Sequence, residues 1–95
     1  MQRLPYPDFT RLPEATQKTL AMVPLNVVRI CAHASQPLFE AQGQLGRAVG
    51  TPEVLEPRLR ETIILRVAYL SRCDYELHHH IPLARAAGLT EAELA

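Results

Sequence analysis

A chain of 95 residues, 47% hydrophobic and with a formal net charge of +0, is long enough for one domain with a modest core and too apolar to remain disordered. The charge balance argues against a nucleic acid or an anionic membrane surface as partner, and no apolar run approaches the ~20 residues that cross a bilayer. Aromatics make up only 5% and Trp is absent, so the core has to be built from Leu, Ile, Val and Ala, a helical palette. The start of the chain has no apolar stretch of the kind a secretory signal needs. Two cysteines, Cys31 and Cys73, are too few for a disulfide framework, which makes a reducing cytoplasm the default compartment.

Residues 1–13 carry Pro5, Pro7 and Pro13. Proline lacks the amide N–H and fixes φ, so this segment is expected as an extended arm, with residues 14–95 forming a helical domain. A first helix is expected from about Glu14 to Met22, ended by Pro24. Leu25 to Ala34 has roughly helical spacing in Leu25, Val28, Ile30, Cys31 and Ala34. Ser35 offers an N-cap, with Pro37 in the first turn, for a helix from Gln36 to Val49 that stops at Gly50. Pro52 and Pro57 bracket a connector.

Arg58 to Leu70 is the clearest helix, with one stripe in Leu59, Ile63, Val67 and Leu70, widened by Ile64 and Ala68. Ser71 to Asp74 is a polar break whose side chains are expected to cap the next helix, which runs to about Ala87 and stops at Gly88. Pro82 removes a helical hydrogen bond and should kink that helix just past the histidines. Nothing in the chain alternates with a period of two, so no strand is expected. Thr90 and Glu93 form a capping box, yet only Leu94 and Ala95 follow. A single turn is unstable alone, so this start of a helix asks for sequence beyond Ala95 or for contact with another subunit.

Three polar residues stand where chemistry would need them. Glu61 has Ile64, Leu65 and Ala68 as its helical neighbours. A carboxylate among apolar groups is desolvated, which suits it to proton transfer. Its structural alternative is an ion pair with Arg58 or Arg66. Cys73 begins a helix, where unpaired amides and the helix dipole favour the reactive thiolate. Glu76 and His80 follow at i+3 and i+7, so the three share one helical face, with His80 placed as base or relay. The competing reading makes the cysteine a small core residue, which is the expectation for Cys31. His78, His79 and His80 point about 100° apart on a helix and cannot share one ion, and no CxxC or HExxH spacing supports a metal.

The stretch LRETIILRVAYLSRCDYELHHHIPLARAAGLTEAEL resembles the core motif of the carboxymuconolactone decarboxylase/AhpD-like superfamily. The AhpD pattern is a Glu, eleven residues, a Cys, two residues, a second Cys, three residues and a His. Glu61, Cys73 and His80 fall on the Glu, first-Cys and His positions, and Glu76 stands at the second Cys. LNVVRICAHASQPLFEAQGQLG resembles the preceding helices, so the likeness spans about Leu25 to Leu94. It implies an all-α, AhpD-like helical bundle that forms homo-oligomers. It also implies an oxidoreductase or thiol peroxidase with Cys73 as redox-active thiol, Glu61 and His80 as proton relay, and Tyr75, Glu76 and His79 shaping the pocket. Partners would be a small-molecule substrate and a thiol reductant, with no cofactor, metal, nucleic acid or membrane. Without a second Cys no disulfide forms inside the motif, which leaves a one-cysteine route through a sulfenic acid. The alternatives are a decarboxylase or lactone-acting enzyme, in which His80 and Glu76 do acid/base work and Cys73 is a spectator, and a non-catalytic helical subunit.

Overall fold

The computed structural model describes residues 3–95; the first two residues of the expected arm lie outside them. Among the described residues there are six α-helices and one 3-10 turn, with no strand. The chain divides into two compact units, residues 1–47 and 48–95. No helix of the described residues is long and apolar enough to cross a membrane.

In the first unit, Asp8 caps the 3-10 turn Phe9–Arg11 by accepting the Thr10 amide at 3.0 Å. Helix α1, Glu14–Met22, has the bounds expected and buries Thr16 and Leu20. Helix α2 is shorter than expected, Asn26–Cys31. Beyond Cys31 the amides of His33 and Ala34 reach back only three residues, to Ile30 and Cys31. This tighter winding brings the chain out of the helix ahead of Ser35, where the next helix opens. Helix α3, Gln36–Val49, starts and stops where expected, and the Ser35 carbonyl accepts the Phe39 amide at 2.9 Å. Leu20, Ala32 and Phe39 form the core, with Cys31 packed against it as the small hydrophobe the sequence suggested. The contacts that fasten the proline arm include two from α2 and the turn after it. The Arg29 guanidinium lies 3.7 Å from the Tyr6 ring centroid, and His33 Nε2 is 2.7 Å from the Pro5 carbonyl oxygen.

In the second unit, Glu56 caps helix α4, Pro57–Ser71, by accepting the Arg58 and Leu59 amides, with Pro57 in the first turn. The helix ends in a Schellman motif. The Cys73 amide bonds the Ala68 carbonyl at 2.9 Å and the Arg72 amide the Tyr69 carbonyl at 3.2 Å. Arg72 takes the left-handed conformation at φ 53, a place usually given to glycine and costing an ordinary residue about 1 kcal/mol. Helix α5, Asp74–Ala86, closes the same way, but with Gly88 at φ 96. It runs through Pro82 without a break. The expected side-chain cap is absent. Cys73 is the N-cap residue and its side chain makes no capping bond, since a thiol is a weak acceptor. Ser71 turns back to the Val67 carbonyl instead.

The face that α4 buries is not the expected one. Glu61, Leu65 and Ala68 are buried, whereas Leu59, Ile63, Val67 and Leu70 are exposed. At about 100° per residue the two stripes lie on opposite sides of the helix. The small side chains Ala68 and Ala84 are almost wholly buried, and Leu65, Ala84, Leu89 and Leu94 make the core with Leu77 and Ile81 against it.

Helix α6, Glu91–Leu94, is a single turn carrying the expected capping box in full. Contacts within the chain engage it. Leu94 is buried in the core, Tyr69 Oη donates to the Leu94 carbonyl at 2.7 Å, Arg58 holds Glu93 and the Gly88 carbonyl, and Arg85 grips Glu91 with Nε and Nη2 at 2.6 and 3.2 Å. The Thr90 amide, its hydroxyl and Arg58 hold the Glu93 carboxyl below the usual carboxylate range. Arg85 does the same for Glu91. A carboxyl held low in the folded state contributes stability above its unfolded range and loses it as pH falls through the folded value. The gap in urea midpoint between the wild type and Glu93→Gln is therefore expected to close on acidification from neutral pH. A gap that stays constant would show that the Glu93 charge contributes nothing to holding the turn.

Candidate functional site

Glu61 is the one charged side chain at the centre of the second unit, with 1% of its surface exposed. Burying a carboxylate demands partners for both oxygens. Oε2 lies 2.8 Å from His80 Nδ1 and Oε1 receives the Arg60 Nε–H at 3.2 Å. The structural alternative, an ion pair with Arg58 or Arg66, is not the pairing found. Arg58 is committed to Gly88 and Glu93, and among the described residues Glu61 pairs with Arg60 and His80. Spacing hid Arg60, because adjacent helical residues do not face one another. Its long side chain reaches back over the helix, and its Nη1 also donates to the Gly50 carbonyl at 2.9 Å.

A carboxylate can only accept, so the Glu61 contact puts the neutral ring's proton on His80 Nδ1 and leaves the lone pair at Nε2. Glu76 Oε2 stands 3.5 Å from that Nε2, one helical turn away. Glu61, His80 and Glu76 thus form a line from a buried carboxylate, through a half-buried imidazole, to a half-exposed carboxylate. Tyr75 and His79 are also neighbours one turn apart, their ring centroids 4.6 Å apart and edge to face. The His78 and His79 rings also meet edge to face, with centroids 5.2 Å apart.

Cys73 is half-buried at the start of α5, with its amide and carbonyl committed to Ala68 and Leu77. No hydrogen bond or charged contact joins its sulfur to Glu61, Glu76 or His80 among the described residues. The first turn beside it carries Asp74 and Glu76, whose negative charges offset the positive end of the helix. No group of three His, Cys, Asp or Glu side chains among the described residues is placed to hold a metal ion. Two surface depressions in the first unit contain none of the site residues. One is lined by Pro7, Phe9, Leu20 and Arg29 among others, the second by Phe39, Gln44 and Arg47 among others.

A sequence profile described as the carboxymuconolactone decarboxylase family matches residues 36–95, the larger part of the chain and all of the site. The chain belongs to the carboxymuconolactone decarboxylase family. Comparison with curated proteins and with solved structures gave no match. The family match takes in α3 to α6; the upstream likeness from Leu25 to Ser35 falls outside it.

Proposed function

We propose that this chain is a proton-transfer enzyme of the carboxymuconolactone decarboxylase type, with His80 as its acid and base. Its substrate would be a small carboxylated lactone or a related carbonyl acid. The observation that carries the proposal is the position of His80 between Glu61 and Glu76. Glu61 keeps the ring in one orientation, Nε2 is left to take or give a proton, and the positive charge then on the ring is stabilised by a carboxylate at each side. The family membership supports the same chemistry. Glu76 on the outer side is a second proton carrier, and Tyr75 and His79 border it on the same helix.

The second reading is a one-cysteine thiol peroxidase. It is favoured by the half-buried Cys73, whose sulfur no hydrogen bond engages. In that reaction the thiolate attacks a hydroperoxide, the O–O bond breaks, an alcohol leaves, and two molecules of a thiol reductant return the sulfenic acid to thiol with loss of water. Both cysteines are free, in keeping with a reducing cytoplasm. Assembly belongs to the same proposal. The outer stripe Leu59, Ile63, Val67 and Leu70, on a chain with no net charge to oppose self-association, would be covered by a second copy of the chain, which light scattering at micromolar concentration tests.

The deciding experiment offers the purified protein a carboxylated lactone and, separately, a hydroperoxide with a thiol. Lactone conversion is expected in the wild type and in Cys73→Ser, and a loss of about 100-fold is expected in His80→Gln. Hydroperoxide turnover that disappears in Cys73→Ser, with no lactone conversion, would establish the second reading in its place.

A further inference from the structure

We infer that Arg60 is the positioning residue of this site. It fixes the Glu61 carboxylate by one oxygen, so that the other receives the Nδ1 proton of His80 and Nε2 becomes the reacting nitrogen. The inference rests on the reading of His80 as acid and base, and it adds a residue to which neither the sequence spacing nor the family motif points.

Three observations meet at Arg60. Its guanidinium is gripped at two places, by Glu61 Oε1 through Nε at 3.2 Å and by the Gly50 carbonyl through Nη1 at 2.9 Å. A planar fork held at two places has its direction set, which a flexible ammonium would not have. Its partner Glu61 is 1% exposed with the guanidinium in place, so in the wild type Oε1 takes its hydrogen bond from Arg60 and not from bulk water. Each Glu61 oxygen has a single partner group, Arg60 for one and His80 for the other. Remove Arg60 and Oε1 becomes a buried acceptor without a donor. With the guanidinium gone, the carboxylate is free to turn towards water that enters the vacated space, and the Nδ1 contact weakens. Gly50 lies in the segment between α3 and α4, so Arg60 also couples the backbone of that connector to the aim of the imidazole.

The test is spectroscopic and independent of turnover. With 15N-labelled histidine, two-bond proton–nitrogen correlations report which ring nitrogen carries the proton, and His80→Gln identifies the His80 signals. At a pH where the ring is neutral, the wild type is expected to hold the Nδ1–H form. Arg60→Gln should lower the ratio of Nδ1–H to Nε2–H by about fivefold, the worth of one ordinary hydrogen bond. An unchanged ratio in a folded Arg60→Gln protein would overturn the inference. Should that variant not fold, Arg60→Lys, which keeps the charge without the fork, is read in the same way, and a wild-type ratio there has the same force. The tautomer reports positioning alone. A shifted ratio together with full turnover in His80→Gln would leave Arg60 as positioned here and remove the acid/base reading instead.

Discussion

Replacing Glu61 with alanine is expected to cost about 3 kcal/mol of folding stability. Removing one member of a buried charged pair costs about 3–5 kcal/mol, because the partner is left without compensation. Here the partners Arg60 and His80 keep 21% and 23% of their side-chain surface exposed, so each recovers some hydration, and the value falls at the lower end. Glu61→Gln keeps the shape and one acceptor, but turns an amide NH2 towards a donor, and should cost about 1–2 kcal/mol. Urea denaturation with both variants should give the order wild type, Gln, Ala. An alanine variant within about 0.5 kcal/mol of the wild type, the range of an ordinary surface substitution, would mean that the carboxylate is not an integral part of the core.

Leu65→Ala is expected to be as damaging for an unrelated reason. Leu65 is 4% exposed and packs with Ala84, Leu89 and Leu94. Truncation there removes buried methyl groups and leaves a void that two flanking helices cannot collapse, which costs about 2–5 kcal/mol. That is a large part of the stability of a domain this small. Leu83→Ala on α5 makes the comparison, since Leu83 is 51% exposed and its loss should stay within about 0.5 kcal/mol. Equal losses in thermal denaturation would contradict the packing described for α4 and α5.

Much of the fold was legible because helix boundaries here are written in local chemistry. Pro24, Pro37, Pro57 and Gly88 act within a turn of where they stand, and the bounds of α1 and α3 follow from them. The buried face of α4 was not legible. The stronger apolar stripe, Leu59, Ile63, Val67 and Leu70, is the exposed one, and the face that meets α5 carries a charged residue beside Leu65 and Ala68, so periodicity pointed to the wrong side. The polar residue decides. Glu61 pairs with His80, and Leu65 and Ala68 are carried inwards with it. The same limit applies to the site. Spacing brought Glu76 and His80 to one face, and the family likeness brought Glu61 to them. Arg60 was invisible to both, because its contact depends on the length of the side chain and not on its place in the helix. Cys73 shows the reverse case, a residue at a telling position whose sulfur has no hydrogen bond or charged contact to Glu61, His80 or Glu76 among the described residues.

The turn at Arg72 also has a bearing on how the chain folds. Glu61 and His80 are 19 residues apart, joined by α4, one left-handed residue and α5. Closing a loop of that length costs little chain entropy, and contacts this local form early in helical proteins. In a folding order set by how local the contacts are, the carboxylate meets its imidazole while water can still reach both, and no unpaired ion is dragged into an apolar interior.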